Sequence, residues 1–222
     1  MTKKIFCAFV FPLFFIVTLA QKGKLPLKEW NTTVDKPLVF YISGDGGYTS
    51  FSEGVCTAIN KAGYKITSLN SKSYFDDKKL PQQTTDDIVS YLNDQFSKRK
   101  DQQFILIGYS FGADITPFVV NLFPDSIKKK LISVVLLSPS TSTDFEIHIW
   151  DRLGGKKKRS MDVVAEVNKL GAMKTTIILG DDDDDFPINS IKLKNYVHEL
   201  LPGGHHYEGN TDEVGKTIMK YF

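Results

Sequence analysis

Cysteine is almost absent from this chain of 222 residues, which holds only Cys7 and Cys56. Cys7 lies in an N-terminal apolar stretch expected to be removed, which leaves Cys56 as the only thiol and excludes an intrachain disulfide. No cysteine follows the expected cleavage point near Ala20, so lipoprotein attachment there is excluded as well. Histidine is scarce: His148, His198, His205 and His206. The adjacent pair His205-His206 has no neighbouring cysteine or third histidine to complete a zinc site. A phosphate-binding loop is disfavoured, because the glycine-rich stretches have neither a Lys-Ser/Thr ending nor Gly-x-Gly-x-x-Gly spacing. The net charge of +2 argues against a nucleic-acid binder. Nothing in the sequence calls for a metal or an organic cofactor, or specifies an oligomeric state.

The N-terminus has the layout of a signal peptide over residues 1–20. Lys3-Lys4 precedes an apolar run from Ile5 to Leu19, and Thr18-Leu19-Ala20 offers small residues for cleavage. An uncleaved anchor is the alternative, disfavoured by Pro12 and by a run shorter than the ~20 residues a spanning helix needs. The expected location is therefore periplasmic or secreted. Residues 21–35 read as a linker, and 36–222 as one domain without internal repeat or break in composition.

Within that domain, apolar runs at 37–43, 64–69, 103–107, 131–137 and 175–179 alternate with helix-like segments at 50–62, 83–99, 112–123 and 211–221. Such alternation predicts an α/β layer fold, a mostly parallel central sheet flanked by helices. Near-continuous apolarity fits strands buried on both faces, with functional loops gathered at their C-terminal ends. A Rossmann or flavodoxin-like domain would show the same alternation, so chemistry has to come from the motifs.

The sharpest motif is Gly108-Tyr109-Ser110-Phe111-Gly112. Three fixed positions recur by chance in roughly 7% of chains this long, so the bare pattern says little. Its context says more: Phe104-Ile105-Leu106-Ile107 precedes it and a helix-like segment with an apolar face follows. That is the setting of a nucleophile elbow, where a strand turns so sharply into a helix that the serine is strained and its flanks must be glycine. Ser110 is then an exposed nucleophile.

A serine nucleophile needs a base and an orienting acid, in the chain order Ser, Asp/Glu, His for an α/β-hydrolase. The run Thr175-Thr176-Ile177-Ile178-Leu179-Gly180 opens into Asp181 to Asp185 and Phe186-Pro187, at the end of a strand. Asp183 is the first choice, three residues after Gly180 and four before Pro187, although any of the five can reach the site. A calcium loop is excluded by the missing glycine and distal glutamate. His205 and His206, on the turn Leu201-Pro202-Gly203-Gly204-His205-His206-Tyr207, are the candidate bases. His205 follows Gly204 directly and is preferred, and the other would be a supporting or substrate-facing group. For the oxyanion, the amide of Phe111 and the loop Gly44-Asp45-Gly46-Gly47, through Asp45 and Gly46, supply candidate N–H donors.

Taken together, Phe40-Tyr41-Ile42-Ser43-Gly44-Asp45-Gly46-Gly47, Gly108-Tyr109-Ser110-Phe111-Gly112-Ala113-Asp114 and Leu201-Pro202-Gly203-Gly204-His205-His206-Tyr207 resemble the motifs of the VirJ/AcvB-like branch of the α/β-hydrolase superfamily. Asp144-Phe145-Glu146-Ile147-His148 and Leu153-Gly154-Gly155 resemble that family's excursion between the serine half and the acid strand. The resemblance covers roughly residues 36 to 222. It implies an α/β-hydrolase fold with periplasmic serine-hydrolase chemistry, with aminoacylated phosphatidylglycerol as the suggested substrate class in some members and a link to type IV secretion in others. The excursion, around 139–173, is expected to form a small cap. It carries the basic tetrad Lys156-Lys157-Lys158-Arg159, either a solvated loop or a patch facing anionic lipid headgroups.

The reading that follows is an exported serine hydrolase acting on an ester, of lipid-linked or aminoacyl type. The alternative is a periplasmic adaptor that keeps the hydrolase scaffold for binding secretion or envelope proteins and has no chemical need of Ser, Asp and His together.

Overall fold

The computed structural model describes residues 25–147 and 159–222. Along the chain the elements are β1 (Leu27–Trp30), β2 (Leu38–Ile42), α1 (Ser50–Lys61), β3 (Ile66–Leu69), α2 (Ser71–Tyr74), α3 (Pro81–Lys98), β4 (Phe104–Tyr109), α4 (Phe111–Leu122), α5 (Asp125–Lys128) and β5 (Leu131–Leu137). They continue with β6 (Ser142–Thr143), β7 (Met161–Asp162), α6 (Val163–Asn168), β8 (Thr175–Gly180), β9 (Tyr196–Leu201) and α7 (Thr211–Met219).

Seven strands form one sheet in the order β1-β3-β2-β4-β5-β8-β9. Only β1 runs antiparallel, pairing Leu27–Trp30 with Leu69–Ile66, and every other pairing in this sheet is parallel. The apolar runs work because both faces of the sheet are covered. On one face Phe40, Leu106, Val134 and Ile177 pack with Ile88 and Leu92 of α3, Val119 of α4 and Val163 and Val167 of α6. On the other face Val39, Ile107, Val135 and Ile178 pack with Val55 and Ile59 of α1 and Val214 and Ile218 of α7. Local signals set the helix starts. Thr49 caps α1 at the Ser52 N–H, Asn210 caps α7 at the Glu213 N–H, and Pro81 opens α3.

In the main sheet two strands add to the expected five. β1 lies within residues 21–35, so that segment is an edge of the sheet rather than a linker alone. The other, β9, carries the base loop at its C-terminal end. Within the excursion 139–173, β6 and β7 pair as a short antiparallel ribbon, and α6 packs as a crossover helix in the main core. His148 and Lys156 to Lys158 lie outside the described residues, as does the expected signal peptide.

Candidate active site

The elbow forms where β4 meets α4. Ser110 has φ 52° and ψ −122°, a conformation that L residues rarely adopt. Its N–H donates to the Leu137 carbonyl at 2.9 Å, and its carbonyl accepts the Asp114 N–H at 3.0 Å to start the helix. Glycine is required on both sides for want of space. A Cβ on Gly108 would lie 2.4 Å from the Gly112 oxygen, and one on Gly112 would lie 2.1 Å from the Ile42 oxygen.

His205 stands between the serine and one of the five aspartates. Its Nε2 is 2.8 Å from Ser110 Oγ and its Nδ1 is 3.1 Å from Asp183 Oδ2. An ionised carboxylate only accepts, so Nδ1 carries the proton and donates to Asp183, which leaves the Nε2 lone pair facing the serine hydroxyl. The Asp183 side chain is 6% exposed, whereas that of His205 is 39% exposed, so the carboxylate is shielded while the imidazole faces the cleft.

Loop geometry sorts the aspartate run. After β8 the chain turns so that the Asp183 N–H donates to the Gly180 carbonyl at 3.0 Å. The same turn is stitched to the base loop: Asp181 N–H donates to Leu201 O at 2.8 Å, Asp182 N–H to Gly203 O at 3.1 Å, and Gly203 N–H to the Asp181 carboxylate at 2.7 Å. Asp182, Asp184 and Asp185 are exposed.

His206 points elsewhere. Its Nδ1 is 2.5 Å from the Tyr109 hydroxyl, and its side chain is exposed beside His205. Next to it Tyr207 is buried with φ 51°, and its hydroxyl accepts from Ser138 Oγ and donates to the Ile178 carbonyl, both at 2.8 Å. The base loop is thereby bolted to the ends of β5 and β8. Tyr207 had no separate sequence signal beyond its place after the histidine pair.

The candidate oxyanion donors lie on the residue after the nucleophile and on the loop that follows β2. Phe111 begins α4, where first-turn N–H groups have no intrahelical partner and the helix dipole favours negative charge. A Cβ on Gly44 would lie 3.4 Å from Ser110 Cβ, which places the start of the 44–47 loop beside the nucleophile. Asp45 in that loop is exposed and Gly46 half-buried. The Phe111 ring meets buried Phe75 edge-on at 5.0 Å.

Two further features bear on the site. Asp114, one turn into α4, is buried, and its carboxylate accepts the Ser140 N–H at 2.6 Å and Ser140 Oγ–H at 2.8 Å. Burial pushes its pKa up to about 7, against the lowering effect of those two bonds. Arg159, the last member of the basic tetrad, lies 3.8 Å from Asp144, with its side chain 18% exposed. Ser160 donates to the same carboxylate through N–H and Oγ–H, which ties the excursion at its base. Among the described residues no group of three or more His, Cys, Asp or Glu is placed to hold a metal ion.

A mostly parallel sheet with a serine elbow after β4, an acid after β8 and a histidine after β9 defines an α/β-hydrolase fold. The chain belongs to the bacterial virulence protein (VirJ) family, whose model matches residues 35–222. No curated protein matches the sequence. Solved structures share the fold at low identity. A lipase-esterase related protein from Clostridium acetobutylicum ATCC 824 is 14% identical with a TM-score of 0.63, over 90% of this chain and 100% of that one. MenH from S. aureus is 14% identical with a TM-score of 0.60, over 88% and 97%. A monoacylglycerol lipase from Paleococcus ferrophilus is 12% identical with a TM-score of 0.60, over 90% and 100%. The scaffold is that of a hydrolase.

Proposed function

We propose that this protein is an exported serine hydrolase that cleaves a carboxylic ester through Ser110, His205 and Asp183. The observation that carries this reading is a single imidazole hydrogen-bonded at one nitrogen to a strained serine and at the other to a shielded carboxylate. Ser110 Oγ attacks the ester carbonyl while His205 Nε2 takes its proton. Asp183 holds the Nδ1–H tautomer and stabilises the imidazolium. Negative charge on the former carbonyl oxygen is met by the Phe111 N–H and by amides of Asp45 or Gly46. Each such donor is worth on the order of 10²–10³ in turnover. Collapse expels the alcohol with the proton from His205. Water, deprotonated by the same nitrogen, then releases the acid and restores the serine.

The substrate class we propose is a lipid-linked or aminoacyl ester, with the protein acting outside the cytoplasm after loss of residues 1–20. The family resemblance and the signal-peptide layout of the sequence support this. Lys156, Lys157 and Lys158 would face anionic headgroups.

The test is fluorophosphonate labelling together with hydrolysis of short p-nitrophenyl esters, comparing wild type with Ser110→Ala. Labelling and turnover are expected in the wild type and lost in the variant, with the melting temperature kept within a few degrees. If the folded wild-type protein neither labels nor turns over, the enzyme reading fails and the adaptor reading takes its place.

A further inference from the structure

The base loop is fastened on both sides of its histidine, at Gly203 by the acid loop and at Tyr207 by the ends of β5 and β8, while the histidine itself stands between these anchors. The loop leaves β9 through Pro202-Gly203-Gly204, with Gly203 at φ 93°, and the His205 ring is more than a third exposed. Asp183 fixes one ring nitrogen and Tyr207 anchors the far end of the loop. Between them a third contact comes from the residue that precedes the nucleophile. The Tyr109 hydroxyl lies 2.5 Å from His206 Nδ1 and 3.4 Å from the His205 carbonyl.

We infer that Tyr109 is a positioning residue for the base, acting through His206, so that one strand end sets both the nucleophile and the histidine that activates it. This rests on the hydrolase reading above. The ring of Tyr109 is itself well fixed: it is 4% exposed, packs on Phe51 at 4.7 Å between ring centres, and lies 3.4 Å from where a Cβ on Gly44 would stand. Burial, and behind it the carboxylates of Asp45 and Asp183, pushes the phenol well above its ordinary range, so it keeps a proton to donate, and the shorter of its two contacts is the one to His206. His206 Nδ1 is then the acceptor, and the neutral imidazole carries its proton on Nε2. With a single proton the phenol favours the 2.5 Å partner, and the 3.4 Å carbonyl is held by proximity. A side chain clamped at its ring nitrogen restrains the peptide between His205 and His206, and with it the approach of Nε2 to Ser110 Oγ. Misplacement of a reacting group by an ångström costs on the order of a hundredfold in rate, so loose restraint is expressed in turnover rather than in binding.

The experiment compares wild type, Tyr109→Phe, His206→Phe and the double variant on a short p-nitrophenyl ester, with melting temperatures and imidazole nitrogen NMR. Each single variant is expected to lose about tenfold or more in kcat with KM changed less than about twofold, and the double variant to lose no more than either single one. The NMR of wild type should show His206 protonated on Nε2 alone, and Tyr109→Phe should lose that preference. A Tyr109→Phe enzyme with wild-type kcat, losses that add in the double variant, or a change confined to KM would overturn the inference while leaving the triad in place. A wild-type protein with no esterase activity and no fluorophosphonate labelling would overturn the hydrolase reading itself.

Discussion

Gly180 and Gly203 touch across the gap between the acid and base loops so closely that a Cβ on Gly180 would lie 2.2 Å from the Gly203 oxygen and 2.4 Å from that of Gly204. The obstacle is backbone on both counts, so a larger residue has to separate the two loops. That separation falls on the 3.1 Å bond between His205 and Asp183. Gly180→Ala should therefore cost about 1–3 kcal/mol of stability through overpacking. It should also lower kcat by more than a stability loss of that size explains in protein that is still fully folded at the assay temperature. Thermal unfolding and kcat measured on the same sample check this, and a variant of wild-type kcat would show that the loops tolerate the wedge.

The five aspartates should divide sharply when each is changed. Asp183→Asn keeps the shape but offers His205 the wrong partner, and a loss of roughly 10³–10⁴ in kcat is expected. Asp181→Ala removes the acceptor for the Gly203 N–H and should cost roughly tenfold by loosening the base loop. Asp182→Asn and Asp184→Asn, at exposed positions, should leave kcat unchanged. If Asp183→Asn is no worse than Asp184→Asn, the assignment of the acid is wrong.

What the sequence disclosed and what it hid follow from burial. The strands β2, β4 and β8 are buried along their whole length, and so read as unbroken apolar runs. At the two edges of the sheet that signal vanishes: Leu27–Trp30 buries no residue fully and leaves Lys28 and Glu29 exposed, and Tyr196–Leu201 buries only Leu201. The serine was legible because the elbow imposes glycine at two fixed positions through backbone contact. Among Asp181 to Asp185 composition is uniform, and only the turn after Gly180 distinguishes Asp183. His205 and His206 differ in their partners, Asp183 and Tyr109, and those lie far away in sequence. The role of Asp114 was likewise hidden, since nothing near it in the chain marks Ser140 as its partner.

Asp114 predicts an unusual dependence of stability on pH. Its folded pKa of about 7 lies above the unfolded value of about 3.9, so the native state holds a proton that the unfolded chain has released. Stability from this group is thus greatest in acid, falls as pH rises from about 4 to about 7, and is level above that. Between pH 5 and pH 8 wild type should lose about 2–3 kcal/mol relative to Asp114→Asn, which has no such titration. Urea unfolding of both proteins at the two pH values measures the difference, and a difference that stays constant with pH would show that the carboxylate is already ionised in acid.

The basic tetrad should behave as three residues and one. Arg159 is turned to Asp144, and the same carboxylate holds Ser160, so its charge serves the base of the excursion. The proposed attraction to anionic lipid therefore rests on Lys156, Lys157 and Lys158. At up to ~1 kcal/mol for each cation near a charged surface, three together should strengthen binding to phosphatidylglycerol vesicles by on the order of a hundredfold at low salt. Added salt should weaken that binding. Replacing the three lysines by serine should abolish the preference for phosphatidylglycerol over neutral vesicles, while hydrolysis of a small soluble ester survives. Arg159→Ser should instead lower the melting temperature and weaken vesicle binding less than the triple change does. Vesicle sedimentation across a salt series, beside thermal unfolding, separates the two effects. If binding is absent, or indifferent to the three lysines, the lipid-facing role of this segment fails and the ester must be sought among soluble substrates.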